Sequence, residues 1–203
     1  IILLGLFFTI ITSNHIDTFD LESNLFFLVI SITAESLLIP TPNQRGVSVG
    51  FAISLTVLLI VGIPQAIWIT SLGIMLRIVY SEGKYHHILN TPLYKTLFNG
   101  ANISLSTGLA GLCYEYLGGV PGQLEFINIF PIIICIIVYI IINNVLMSIL
   151  MTMLSGDNFF KLLYTNVIWV IKDYFAIAPL GIIMAIAYIN YGMLGVLLFF
   201  GPL

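Results

Sequence analysis

The sequence has very few charged residues. Of its 203 residues, 7% are charged and 60% are hydrophobic, and the mean hydropathy is +1.12. Soluble domains carry about 25% charged residues, and a chain this apolar could not cover a water-exposed surface with polar groups. A soluble globular domain is therefore excluded, and lipid must be the solvent for most of the side chains.

Several other features are scarce or missing. Cys113 and Cys135 are the two cysteines, and they lie in apolar runs without metal-ligand spacing, so no metal and no cofactor are expected. The net charge is −3 and there is no basic tract, which excludes nucleic acid as a partner. The nucleophile-elbow, zinc-protease and phosphate-loop motifs are absent, and so are paired intramembrane aspartates. We therefore predict no catalytic residue in this chain.

Long uninterrupted apolar runs dominate what is present. Inside a bilayer every backbone polar group must be satisfied within the protein, so only helices or closed barrels are stable there. Barrel strands alternate in polarity, whereas Ile132–Ile142 is continuously apolar, which predicts helices. The expected fold is an all-α, polytopic membrane bundle of about eight transmembrane helices. The predicted spans are Ile1–Ile11, Asn24–Ile39, Val47–Val61, Pro64–Tyr80, Leu97–Leu117, Ile127–Leu150, Tyr174–Ile189 and a last one from Gly192 onward. The amphipathic stretch Asp157–Lys172 is predicted to be a re-entrant or interfacial helix.

The two ends of the sequence fall inside apolar runs. The chain begins without Met in a run about half as long as a spanning helix, and it ends in another short run. We expect residues 1–203 to form a single transmembrane domain that is a fragment, incomplete at both ends.

The basic residues separate cleanly from the acidic loops. All six Lys and Arg residues fall on one side of the predicted topology, and the loops on the opposite side carry Asp and Glu without Lys or Arg. The positive-inside rule then predicts that the basic loops and both chain ends are cytoplasmic, in a multi-pass protein of a bacterial inner membrane.

Polar side chains within the predicted spans are the candidate functional residues, because they are costly in lipid. Asn99 and Asn102 lie on one stripe of the fifth span with Lys95 and Ser106, which predicts a face that lines a pocket or pore. Asn144 lies in the sixth span. Hydrogen bonding between helices is the alternative role for these amides.

Glu35 lies about one turn before Pro40, near the predicted cytoplasmic boundary. An ion pair with Arg45 or Arg77 would remove most of its desolvation cost. Ligand or proton binding is the alternative. We therefore include Glu35 and Arg45, together with Asn99, Asn102 and Asn144, as predicted ligand-binding or coupling residues.

A weak internal repeat joins two parts of the chain. The segment beginning at Lys95 resembles the one beginning at Lys161, and each precedes a Gly- and Ala-rich span that ends in Tyr and Gly. Such repeats are common in membrane transport and sensor folds.

Two stretches resemble a known family. They are AESLLIP from Ala34 followed by GVSVGFAI from Gly46, and YKTLFN from Tyr94 followed by LAGLCY from Leu109 and LGG from Leu117. This combination is similar to the N-terminal membrane-associated sensor (MASE-type) domains of bacterial HD-GYP and GGDEF signalling proteins, and it covers the chain from the second span to the last. Asn43-Gln44-Arg45 stands where that family usually has a Lys-Gly-Gly-like turn.

The resemblance implies a membrane-embedded sensory or anchoring domain that regulates a cytoplasmic cyclic di-GMP enzyme. That effector is expected after residue 203, with an HD-GYP phosphodiesterase preferred over a GGDEF cyclase. This chain itself would not be an enzyme. The implied partners are the lipid bilayer, an unknown small ligand or membrane cue, and a second copy in a homodimer formed through the effector. A small-molecule transporter, or its membrane substrate-binding subunit, is the first alternative, and an intramembrane enzyme is the second.

Overall fold

The fold is a bundle of helices with two small β-hairpins. A computed structural model describes residues 1–13, 20–40, 46–81, 83–124 and 129–202. The helices are α1 (Ile2–Ser13), α2 (Leu21–Ser36), α3 (Gly50–Val61), α4 (Ile63–Leu76), α5 (Leu93–Tyr116), α6 (Ile129–Ser155) and α7 (Phe159–Phe200). The strands are β1 (Leu38–Pro40), β2 (Gly46–Ser48), β3 (Val79–Ser81) and β4 (Lys84–His86). The predicted helical class is thus confirmed, with the hairpins as an addition.

Helix α3 is the centre of the bundle. Every residue from Gly50 to Leu59 is buried, as expected for a helix that is apolar on all sides. Helices α2, α4, α5 and α7 contact it. Its 12 residues make it about 18 Å long, which is shorter than the roughly 30 Å hydrocarbon core of a bilayer.

Small residues bring α7 against α3. The Thr56 hydroxyl lies 2.7 Å from the Ala52 carbonyl oxygen of its own helix and 2.9 Å from the Gly181 carbonyl oxygen of α7. A β-carbon added to Gly181 would lie 2.7 Å from the Ala52 oxygen. Only a residue without a side chain therefore fits at this crossing.

Two glycines with positive φ turn the chain back on itself. Gly62 (φ 84°) separates α3 from α4, and Gly192 (φ 61°) interrupts α7. After Gly192 the chain folds back, because Gly195 packs directly against Ala187. The predicted span boundaries after Val61 and after Ile189 agree with these breaks. The helical segments number eight in the described residues when α7 is divided at Gly192.

The bundle has two chemically different ends. The end that contains Arg77, Lys84 and Lys95 is called the basic end below, and the end that contains Asp20 and Glu115 is called the acidic end. At the acidic end, the Ser23 and Tyr188 hydroxyls are 2.8 Å apart, which joins α2 to α7. The Asp20 carboxylate caps α2 by accepting from the Glu22 N–H, and a hydrogen bond from the Ser23 hydroxyl holds the pKa of Asp20 below its ordinary value.

The hairpins replace parts of three predicted spans. The second span was predicted to reach Ile39, the third to begin at Val47 and the fourth to reach Tyr80, but these residues lie in strands. The physical reason is local. Pro40 has no N–H and disfavours helix at the residue before it, while Val47, Val79 and Tyr80 favour extended backbone. The β1–β2 and β3–β4 pairs are both antiparallel.

The stretch Asp157–Lys172 does not form a separate re-entrant or interfacial helix. Asp157 lies in the connection after α6, and α7 begins at Phe159 and continues without a break through Lys172 to Tyr191. Its first part runs antiparallel to α6, and the Asn166 amide donates to the Ser148 hydroxyl at 3.3 Å. The amphipathic pattern reflects this one-sided packing.

Two helices in the described residues are long and apolar enough to cross a membrane, Ile129–Ser155 and Val170–Phe200. The other predicted spans correspond to shorter or less apolar helices, so eight transmembrane helices are not confirmed. On α6 a stripe of large apolar side chains is exposed at helical spacing, namely Phe130, Ile133, Ile137 and Ile141. A continuous apolar face of this kind is typical of contact with lipid or another protein.

The repeated sequence segments have similar structural positions. Lys95 and Lys161 each lie in the first turn of a helix, α5 and α7. The glycines that close the two repeats, Gly118 and Gly192, both have positive φ. The repeat therefore corresponds to two helical segments that each have a lysine in the first turn and a glycine with positive φ at the end.

The crossing of α3 and α7 predicts a strong response to a single added methyl group. Gly181→Ala should lower the free energy of unfolding by about 1–3 kcal/mol, because the new β-carbon would overlap the Ala52 carbonyl oxygen. Ala176→Val enlarges an exposed position of the same helix and is the control. Thermal unfolding in detergent measures both variants, and equal melting temperatures would contradict this account of the crossing.

Candidate functional site

An ion pair lies at the basic end of the bundle. Glu35 is in the last turn of α2, and Arg77 is the residue that follows α4. The Arg77 Nη1 atom lies 3.8 Å from Glu35 Oε2, and the exposed fraction of the side chain is 9% for Glu35 and 33% for Arg77. Of the two arginines predicted as partners of Glu35, the structure therefore shows Arg77 at the carboxylate.

The backbone holds the two partners in place. The Ile78 N–H donates to the Ser36 hydroxyl oxygen at 2.9 Å, so the residues next to the ion pair are also joined. Above this point, Gly73 of α4 packs directly on Ser31 of α2. The ends of α2 and α4 thus reach the basic end side by side, which places Glu35 next to Arg77.

Three aromatic rings lie behind the carboxylate. Phe51 of α3 contacts Tyr139 of α6 and Tyr174 of α7, with ring centroids 4.8 Å and 4.6 Å away, and the two tyrosine rings are 5.9 Å apart. Glu35 lies close enough to both tyrosines for its charge to act on them. The Tyr174 hydroxyl donates to Asn143 Oδ1 at 3.3 Å. We call Arg77, Glu35, Tyr139 and Tyr174 the polar relay, because they lie in succession from the end of α4 to α6 and α7.

A cavity of about 250 Å³ opens beside Arg77. It lies between the end of α4, the β3–β4 hairpin with the turn after it, and the beginning of α5. Its apolar lining comes from Ile74, Met75, Val79 and Ile88, and its polar lining from Arg77, His86, His87, Thr91, Thr96 and Asn99. None of these described lining residues carries a carboxylate. The cavity therefore offers hydrogen-bond donors and one fixed positive charge.

The turn on one side of the cavity is tightly hydrogen-bonded. The Asn90 side chain accepts from the His87 N–H at 2.8 Å and donates to the Tyr85 carbonyl at 2.7 Å. The Leu89 N–H donates to His87 Nδ1 at 3.3 Å. Since Nδ1 accepts, the other ring nitrogen of His87 carries the hydrogen and can act as a donor.

The five predicted site residues do not form one site. Glu35 belongs to the polar relay and Asn99 lines the cavity, so Arg77 brings these two close to each other. Arg45 lies outside the described residues. Asn102 and Asn144 are elsewhere in the bundle.

Asn102 and Asn144 are buried among helices and do not line the cavity. Asn102 is 2% exposed, and its backbone carbonyl oxygen accepts from the Ser106 hydroxyl at 2.7 Å. Asn144 donates to the Ile140 carbonyl of its own helix at 2.8 Å. The opposite face of α5 packs as its small residues suggest, with Gly100 against Met75 and Gly108 against Phe8.

Sequence reasoning missed four residues of the site. Tyr139 and Tyr174 form the far part of the polar relay, and His86 and His87 line the cavity. Tyr139 did give a signal, since it is a polar group within a run of isoleucines. The two histidines gave none, because their position depends on how the β3–β4 hairpin folds over α5. In the described part of the chain, no three His, Cys, Asp or Glu side chains are grouped to hold a metal ion.

Comparison with known proteins identifies the family. The sequence profile of the MASE9 family matches residues 3–203, which is almost the whole chain. No curated protein and no solved structure matches the chain. The chain therefore belongs to the MASE9 family of membrane-associated sensor domains, which confirms the resemblance and supports a membrane protein with a sensory and non-enzymatic role.

The ion pair predicts a measurable coupling between Glu35 and Arg77. In a double-mutant cycle of Glu35→Gln and Arg77→Gln, the coupling should contribute about 1–2 kcal/mol to the free energy of unfolding. The reason is that the pair is more buried than a surface salt bridge but still reaches solvent. Thermal unfolding in detergent measures the stability of the wild type, the two single variants and the double variant. The same cycle with Lys95→Gln, an exposed cation of the basic end, should show no coupling. A Glu35–Arg77 coupling as small as that of the control would contradict the pairing.

Proposed function

We propose that this MASE9 domain senses a ligand or membrane cue at its basic end and regulates a cytoplasmic enzyme of cyclic di-GMP metabolism. The single observation that carries the proposal is the polar relay, since Arg77 borders the cavity and also contacts Glu35. A change at the cavity thereby acts on a carboxylate that lies near Tyr139 of α6 and Tyr174 of α7. The effector is an HD-GYP phosphodiesterase in preference to a GGDEF cyclase.

The mechanism is a shift between two arrangements of the helices. When an occupant of the cavity attracts the Arg77 guanidinium, the Glu35 carboxylate loses part of its partner and its interaction with Tyr139 and Tyr174 changes. Both tyrosines pack on Phe51 of the central helix α3. The α6–α7 pair then moves relative to α3. Such a shift requires that the occupant binds one arrangement more tightly than the other.

The topology that fits this mechanism has the basic end in the cytoplasm. All six Lys and Arg residues lie on that side of the predicted topology, in keeping with the positive-inside rule. The eight helical segments then cross or enter a bacterial inner membrane, and both chain ends face the cytoplasm. The last segment, after Gly192, packs on Ala187 of α7 and leads toward the effector. In a homodimer formed through the effector, movement of α7 would reorient the two catalytic units.

A small-molecule transporter is the second candidate. The observation in its favour is that Gly192 interrupts α7, because transporters form substrate sites from interrupted helices. Uptake of a labelled solute by vesicles that contain the protein would favour this function over sensing.

The relay predicts that Glu35 controls the output of the full-length protein. Glu35→Gln should change cyclic di-GMP turnover about fivefold or more, because allosteric coupling energies are typically 1–3 kcal/mol. Turnover by the full-length protein in nanodiscs measures the effect, with size-exclusion chromatography to check folding.

Glu22→Gln is the matched control, since it makes the same chemical change at an exposed position at the other end of α2. Turnover with Glu22→Gln should equal that of the wild type. A folded Glu35→Gln protein with wild-type turnover would remove the relay from the mechanism, and a full-length protein that neither makes nor degrades cyclic di-GMP would overturn the proposed function.

A further inference from the structure

The cavity at the basic end has the chemistry of an anion site. Its polar lining consists of an arginine, two histidines, two threonines and an amide, and no carboxylate is among the described lining residues. The Arg77 guanidinium has five N–H donors, and its contact with Glu35 involves one nitrogen. In the described part of the chain no other acceptor contacts this guanidinium, so its remaining donors can bind a second acceptor.

Neighbouring groups reinforce this preference. Thr96 of the cavity lies in the first turn of α5, which has no acidic residue and no side-chain cap. The beginning of a helix carries a partial positive charge from its backbone N–H groups. The His87 ring can donate from Nε2, because Nδ1 already accepts from the Leu89 N–H. Charge, helix dipole and donors thus all favour a negatively charged group.

The size of the cavity narrows the ligand class. About 250 Å³ is smaller than the roughly 300–1,000 Å³ of pockets for drug-sized ligands. The cavity therefore holds a compact group, and the bidentate fork of an arginine matches phosphate oxygens. The four apolar lining side chains suit a short hydrocarbon portion next to that group.

We infer that the cavity of the basic end binds a phosphate group, either as part of an anionic lipid headgroup or as a free phosphate or small phosphoester. The inference rests on the proposed function only where it treats the bound phosphate group as the ligand that the sensor detects. Binding is measured directly here, without the output of the effector, so that failure of this inference and failure of the proposed function give different results.

The experiment uses the full-length protein in nanodiscs. In the first arm, inorganic phosphate is titrated calorimetrically into protein in phosphatidylcholine nanodiscs. In the second arm, phosphate is left out and retention of phosphatidylglycerol over phosphatidylcholine is measured by native mass spectrometry. Saturable binding in the first arm assigns the site to a free phosphate, and selective retention in the second assigns it to a lipid headgroup. No binding in either arm would overturn the inference.

Two variants locate the binding. Asn99→Asp has nearly the same shape but places a carboxylate at the cavity wall, and it should weaken phosphate binding at least about tenfold through charge repulsion. Lys161→Gln makes the same change in net charge at an exposed position in the first turn of α7, and it should change the affinity less than about twofold. Arg77→Gln should lose binding as Asn99→Asp does. Equal affinities for the wild type and a folded Asn99→Asp protein would overturn the assignment to this cavity.

Discussion

The contact between Glu35 and Arg77 is the constraint on which the basic end of the molecule depends. A carboxylate with 9% of its side chain exposed is costly to bury without a nearby cation. The pair therefore fixes where α2 ends relative to α4, and the adjacent bond from Ile78 to Ser36 fixes the backbone. The β3–β4 hairpin follows the end of α4, and its residues Val79 and His86 line the cavity beside Arg77 together with the beginning of α5.

The rest of the bundle is organised around the short central helix α3. Because α3 is buried on all sides, its neighbours must supply close contacts in every direction, and they do so with small residues such as Gly181. The aromatic contact of Phe51 with Tyr139 and Tyr174 lies at the first turn of this helix, next to Glu35. The centre of the fold therefore contacts the polar relay through Phe51, and this contact is the route by which we propose that a change at the surface of the basic end reaches α6 and α7.

Much of the fold could be predicted from the sequence because lipid-facing helices impose strong composition rules. The apolar runs located the helices, and Gly62 and Gly192 marked their turns. The hairpins were missed because Leu38, Val47 and Val79 are as apolar as helix residues, and hydropathy alone does not separate strand from helix in short runs. The sequence did not reveal that most of Asp157–Lys172 forms the first part of α7, because amphipathic periodicity does not distinguish a helix that lies on a membrane from one that packs against α6. The family motifs identified a sensor domain, but they do not indicate which chemical class of ligand it binds.

The candidate site was only partly predictable, because it depends on tertiary contacts. Glu35 could be found as a carboxylate in an apolar span, and Asn99 as an amide on the polar stripe of the fifth predicted span. Nothing local distinguishes Asn99, which lines the cavity, from Asn102, which is 2% exposed. The difference comes from the hairpin, which lies over the start of α5.

The most direct test of the account is a distance measurement between α6 and the cavity. Spin labels at two exposed positions, Leu154 of α6 and Leu89 of the cavity turn, would be placed in the full-length protein with Cys113 and Cys135 replaced by alanine. If the polar relay couples the two regions, Glu35→Gln should shift the distance by about 1–2 Å, the usual size of helix shifts in signalling, or change the populations of two distances. Identical distance distributions in the wild type and Glu35→Gln proteins would contradict the coupling.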